Sequence, residues 1–154
     1  MEESAPNAKV QFLVEQEDGT KDVETPWATS LGDDLFRIEN SLFFAYGVSW
    51  LDIVSAPYHS EHAGPVFEKV VEKSGHSTIR AILEPAAEEG NASQKVLDDL
   101  VCLGASYEGF SSSYIAIDVP AEIELALVCN FLTESGVEWE YADPTYNEVH
   151  PDAT

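Results

Sequence analysis

Residues 65–85 read PVFEKVVEKSGHSTIRAILEP, and the way they fold decides the architecture. Two runs rich in apolar and β-branched residues flank Ser74-Gly75. That pair suits a tight turn, because glycine reaches positive φ without strain. The stretch is expected to be a β-hairpin whose second strand opens with the polar run His76-Ser77-Thr78-Ile79-Arg80. Short strands are expected before it, and helices alternating with strands after it. The hairpin is thus the expected seam between two halves.

In the first half, Val10, Phe12 and Val14 alternate with Gln11, Leu13 and Glu15, the period of a half-buried strand. Glu17-Asp18-Gly19-Thr20 reads as a turn. Residues 22–31 give a second strand in which Pro26 calls for an edge or a bulge. Gly32-Asp33-Asp34 turns again into a third strand at 35–39. Residues 40–46 carry no clear period, and Phe43 and Phe44 are expected to plug the end of the sheet. A strand at 50–56 and a polar loop at 57–64 follow. This spacing suggests a small antiparallel barrel or a curled sheet.

The second half changes rhythm. A strand at 78–84 leads through an acidic linker to Asn91, which with Gln94 resembles a capping box. Val96, Leu97, Leu100, Val101 and Leu103 form a helical stripe that ends at Gly104. Strands at 107–110 and 114–119 follow, and Pro120 suits the first turn of a second helix running to Gly136. Val137, Trp139 and Tyr141 alternate with Glu138 and Glu140 in a last strand. The order is β-α-β-β-α-β, the plan of a ferredoxin-like half with both helices on one face. The expected fold is α+β: a flexible tail at 1–8, a β-rich half at 9–75, a ferredoxin-like half at 76–143 and a loosely attached tail at 144–154.

Apolar residues make up 44% of the chain and aromatics 10%, enough for a packed interior. The charge is extreme: 29 acids against seven Lys and Arg, a net −22. Such a field disfavours nucleic acid and anionic membranes and speeds encounter with a basic partner. It would equally serve solubility or adaptation to high salt. Cys102 and Cys129 both fall in helical patterns among Leu and Val, so buried free thiols are expected. The opening residues MEESAPNAK lack a basic and apolar leader, and no run approaches the ~20 apolar residues of a span. A cytoplasmic protein is expected.

Chemistry is sparse. His59-Ser60-Glu61-His62 offers two imidazoles, but zinc needs three or four ligands, and a solvated loop with no metal is expected. There is no glycine-rich phosphate loop and no nucleophile elbow. No catalytic residue and no cofactor are assigned, and an enzyme is not expected. Asp52, His76 and Arg80 form the best-motivated polar group, either a structural cluster or a pocket at the seam, with Arg80 able to pair with Asp52. Glu138 with Glu140, and Glu68 with Glu72, line two strands as acidic stripes. They would either blunt sheet edges or present carboxylates to a partner's Lys and Arg.

Three segments carry a family resemblance. Trp27-Ala28, Leu31-Gly32, Asn40, Phe43-Phe44, Gly47-Val48-Ser49 and Asp52-Ile53-Val54, then EKSGHSTIRAIL and IAIDVP, resemble a bacterial family known as domain of unknown function 4265. The likeness runs from about Val10 to Tyr141, with Leu51 where members often carry glycine. It implies no catalytic residues. By analogy with small acidic orphan domains, the expected role is an immunity protein or inhibitor that neutralises a basic bacterial toxin by stoichiometric binding. Glu138, Glu140, Glu68 and Glu72 would make the contact, with Tyr141 or Trp50 as anchors. The alternatives are a small-ligand-sensing ferredoxin-like module or an enzyme with its pocket at the seam.

Overall fold

The computed structural model describes residues 6–151. Its first half is built from β1 (Ala8–Lys9), β2 (Phe12–Glu15), β3 (Lys21–Glu24), β4 (Trp27–Gly32), β5 (Leu35–Ile38), β6 (Ile53–Ser55), β7 (Tyr58–His59), β8 (Gly64–Pro65) and β9 (Lys69–Glu72). The run at 22–31 is not one strand with an edge or bulge at Pro26: it divides there into β3 and β4, which join different sheets, because Pro26 has no N–H to give a ladder. β2 and β3 form a separate hairpin over Gly19, whose φ is +86°. The remaining long strands make an antiparallel sheet in the order β1-β4-β5-β6-β9. Val10, Phe12, Ile38, Leu42 and Val54 are fully buried beneath it.

This sheet curls without closing. Its two ends meet at one parallel bridge, Gln11 to Val66. Beyond Gln11 the chain departs into the β2–β3 hairpin, so no continuous strand remains to seal the ladder. Of the two expected forms, the barrel is therefore ruled out for the described residues.

The second half comprises β10 (Ser77–Ile82), α1 (Ala92–Cys102), β11 (Ser106–Gly109), β12 (Tyr114–Val119), α2 (Leu125–Glu134), β13 (Glu138–Asp143) and the short α3 (Tyr146–Val149). Its sheet is antiparallel, ordered β11-β12-β10-β13. Leu97 and Leu100 of α1 and Val128, Cys129 and Leu132 of α2 bury against Ile79, Ala81, Ile115 and Ile117 on one sheet face. The Asn91 side chain caps α1 by accepting from the Gln94 N–H at 2.9 Å. Two details differ from the sequence reading. Residues 120–123 form a turn, with Ile123 N–H donating to Pro120 O, so α2 starts at Leu125. Cys102 is exposed, whereas Cys129 is buried. At 3.6 residues per turn Cys102 lies about 200° round from Leu100, off the buried stripe.

The decisive stretch is not a hairpin. β9 pairs with β6 in the first sheet, while β10 lies between β12 and β13 in the second. Burial explains the choice. Thr78, Ile79, Arg80 and Ala81 are all buried, so β10 must be a central strand, with both edges paired and both faces covered. β9 is largely exposed and only four residues long, too short to match the six residues of β10. Ser74 and Gly75, φ +96°, carry the chain from one sheet to the other.

Where tails were expected, Asn7 N–H donates to Ala28 O at 3.1 Å, and α3 is closed by a capping box between Thr145 and Glu148. Residues 1–5 and 152–154 of those segments lie outside the described residues.

A β-carbon at position 75 would stand 3.2 Å from the Ala121 β-carbon, on a backbone that L-residues avoid. Gly75→Ala is expected to cost about 1–3 kcal/mol in urea unfolding. A change within a few tenths would show that the crossover does not depend on this turn.

Candidate functional site

The seam is held by a buried polar knot. Ser49 and Asp52 come from the loop before β6, Lys73 follows β9, Thr78 is on β10 and Asp143 ends β13. Asp52 is fully buried. It accepts from the Ser49 and Ser74 backbone N–H groups at 2.8 Å each, and from Lys73 Nζ. Ser49 Oγ donates to Asp143 Oδ2 at 2.5 Å and accepts from Thr78 Oγ1 at 2.7 Å. The Lys73 ammonium also pairs with Asp143 and donates to Gly47 O at 3.3 Å. One half-exposed cation therefore bridges two carboxylates, one from each half of the molecule. Burial works against its charge, but the bonds and attraction of Asp143 and Asp52 outweigh it and raise the Lys73 pKa.

The expected group of Asp52, His76 and Arg80 does not converge. His76 Nδ1 lies 2.9 Å from Asp118, and its ring meets Trp50 edge-on at 5.1 Å. Burial raises the Asp118 pKa, with the His76 charge and hydrogen bond pulling the other way. Arg80, only 2% exposed, points away from Asp52. Its Nε donates to Leu42 O at 3.2 Å, and Nη2 donates to Ala45 O. The guanidinium stacks 4.7 Å from the Tyr46 ring, with Nη1 3.7 Å from Glu140. The cation that Asp52 takes is Lys73. Its only signal in the sequence is indirect: an acid inside Leu51-Asp52-Ile53-Val54 needs a counter-charge, but nothing local says which one.

The acids expected to meet a partner fall on two separate edges. Glu138 and Glu140 sit on β13, the outer strand of the second sheet, and Glu68 and Glu72 sit on or beside β9, the outer strand of the first. Glu68 accepts from Ser55 Oγ at 2.8 Å. Glu140 accepts from Tyr46 Oη at 2.9 Å, while Glu138 is exposed. An open cleft of about 660 Å³ follows β13 here, with Tyr46 on one side of the strand and Thr145, Tyr146 and Asn147 on the other. Tyr141, half-buried, belongs to its wall together with Trp139, whose ring lies 4.9 Å away. Trp50 is not part of it. It lines a smaller cleft of about 220 Å³ with Tyr107, Glu108 and Asp118. Tyr46 escaped the sequence reading because residues 40–46 have no period.

Among the described residues, no group of three or more His, Cys, Asp or Glu is placed to hold a metal ion; His59 and His62 simply pack ring to ring at 6.3 Å. No helix among them is long and apolar enough to cross a membrane.

The family model described as "Domain of unknown function (DUF4265)" matches residues 24–141. No curated protein matches the chain. Among solved structures, a hypothetical protein from Neisseria gonorrhoeae is similar with a TM-score of 0.76 at 14% identity. The match covers 91% of this chain and 96% of that one. At that identity the likeness is one of fold, and it extends across both sheets.

Removing the Lys73 ammonium leaves two acids facing each other in the knot. Lys73→Met is expected to lower stability by about 1–3 kcal/mol at neutral pH, solvent screening of the half-exposed ammonium offsetting part of what a fully buried pair would lose. The pH dependence has a definite sign. Because the folded pKa lies above the unfolded one, the Lys73 contribution is complete below the ordinary value of 10.5. It is lost as pH rises through the higher folded value. Urea unfolding across alkaline pH should show this loss in the parent chain and a flatter profile in Lys73→Met. Equal slopes would remove Lys73 as the cause.

Proposed function

We propose that this chain, which belongs to the family described as domain of unknown function (DUF4265), acts as a stoichiometric binding domain for a basic protein. The narrower form of the proposal is an inhibitor that neutralises a basic bacterial toxin in the cytoplasm. The observation that carries the reading is the β13 edge, where an open aromatic-walled cleft lined by Glu140 lies two residues along the strand from exposed Glu138, on a chain of net charge −22. Aromatic side chains give contact area at low entropic cost, and a one-signed field steers a cationic surface toward them. The same field works against nucleic acid. Binding is preferred to catalysis because Asp52, His76 and Arg80 are each engaged by separate structural partners.

The strand order β11-β12-β10-β13, with both helices on one face, supports reading the second half as ferredoxin-like. That gives a second reading some weight. The β13 cleft falls within the about 300–1,000 Å³ range of small-molecule sites, so a ligand-sensing module is the alternative. Thermal shifts across metabolites would favour it by mass action.

The test is co-expression with the product of the neighbouring reading frame, followed by association kinetics with the basic partner so obtained. Glu138→Lys is expected to slow association about two- to fivefold and to weaken its salt dependence. Glu68→Lys, on the other edge, should change neither. The reverse pattern would move the contact to β9, and either unaltered kinetics in both variants or the failure to obtain any basic partner would overturn the reading.

A further inference from the structure

Resting on that reading, we infer that the β13 edge takes its partner by strand addition: an extended segment of the basic protein lies along residues 138–141, alternating basic and apolar side chains. The first observation is the edge itself. Among the described residues β13 has β10 on one side and no strand on the other. At its far end the Gly47 N–H already occupies the Ala142 carbonyl from outside, at 2.8 Å. The loop carrying Tyr46 therefore closes one end of the groove, leaving the backbone from Trp139 to Tyr141 as its floor and Glu138 at its open end. A free sheet edge offers unmatched N–H and C=O groups that template a further strand.

The second observation is the alternation of the walls. Trp139 and Tyr141 lie on the helix-covered face, packed with the second core. Glu138 and Glu140 lie on the opposite face, where Arg80 and Tyr46 meet Glu140. An added strand places successive side chains on those same two faces. Residues beside Glu138 and Glu140 would meet carboxylates, and those beside Trp139, Tyr141 and the exposed Tyr146 would meet rings. This selects Lys or Arg at every second position and an apolar residue between.

Charge decides between occupants. A second copy of this chain pairing edge to edge would bring glutamates of both strands onto one face, between bodies of net charge −22 each. Like charges on neighbouring strands are destabilising. A basic segment from another protein reverses that sign. The other outer strands fit less well. β9 reads Lys-Val-Val-Glu, so a lysine offsets its carboxylate, and β11 offers the residues Ser-Tyr-Glu-Gly with a single carboxylate.

The probe is a capped peptide matched to the six residues of β13, alternating Lys or Arg with Val, titrated at low salt and followed by the amide signals of the folded chain. The expected result is binding that shifts and protects the amides of residues 138–141. It should weaken about tenfold or more in Glu138→Lys, and by a similar factor when alternate peptide nitrogens are methylated. Unchanged binding of the methylated peptide would overturn strand addition while leaving charge-led association intact. So would shifts confined to β9, or a peptide that fails to bind while a folded basic partner still does. A dimer whose β13 amides become protected without peptide would assign the edge to a second copy and also overturn the proposal. Loss of both peptide and protein binding would remove the functional reading with it.

Discussion

One ammonium bridges the two halves of this molecule at their seam. Lys73 stands where the chain leaves the first sheet, and its charge is shared by Asp52 from the loop before β6 and Asp143 from the end of β13. Taking a carboxylate such as Asp52 fully out of water costs several kcal/mol unless it is paired and hydrogen-bonded. Here each requirement is met by a different part of the chain: backbone N–H groups from Ser49 and Ser74, the cation from Lys73, and the Ser49–Thr78 hydroxyl pair that carries the network into β10. The burial penalty thereby enforces a geometry. Asp52 finds these partners within its own half, whereas Asp143 takes its cation and its hydroxyl donor from across the seam, and this couples the second sheet to the first.

Arg80 extends the same logic toward the surface. Its guanidinium fills a buried position on the central strand and holds the carbonyls of Leu42 and Ala45, in a loop with no ladder of its own. That loop then presents Tyr46 against Glu140 and Gly47 against the Ala142 carbonyl. The wall of the β13 cleft that Tyr46 supplies is thus held by groups in the interior. Such support matters in a chain with so much negative charge, because steering raises encounter rates but does not by itself hold a partner.

Much of this could be read from the residues, and the failures share a cause. Turns at Gly19 and Gly32, the Asn91 cap and the order of strands and helices after residue 76 depend on local chemistry, and all were legible; at Pro26 the irregularity was legible but not the division into two strands. Ser74-Gly75 was legible as a turn but not as a crossover. Periodicity reports which face of a strand is buried, whereas pairing depends on the burial of both faces, as at Thr78 to Ala81. The polar group at the seam was half legible for the same reason. Asp52 and Arg80 stood out as charges in apolar surroundings, but their counter-charges, Lys73 just after β9 and Glu140 on β13, are placed by strand pairing. Tyr46 and the cleft it closes could not be seen at all, since an aperiodic loop shows no orientation in sequence.

The claim that the Lys73 knot makes one cooperative unit is tested most directly by native-state hydrogen exchange under increasing denaturant. The account predicts that amides in β5 and β6 of the first sheet and in β10 and β12 of the second converge on one opening free energy, and that Lys73→Met separates them into two. If the two sheets already exchange through separate openings in the parent chain, the knot is a surface staple and the account is wrong.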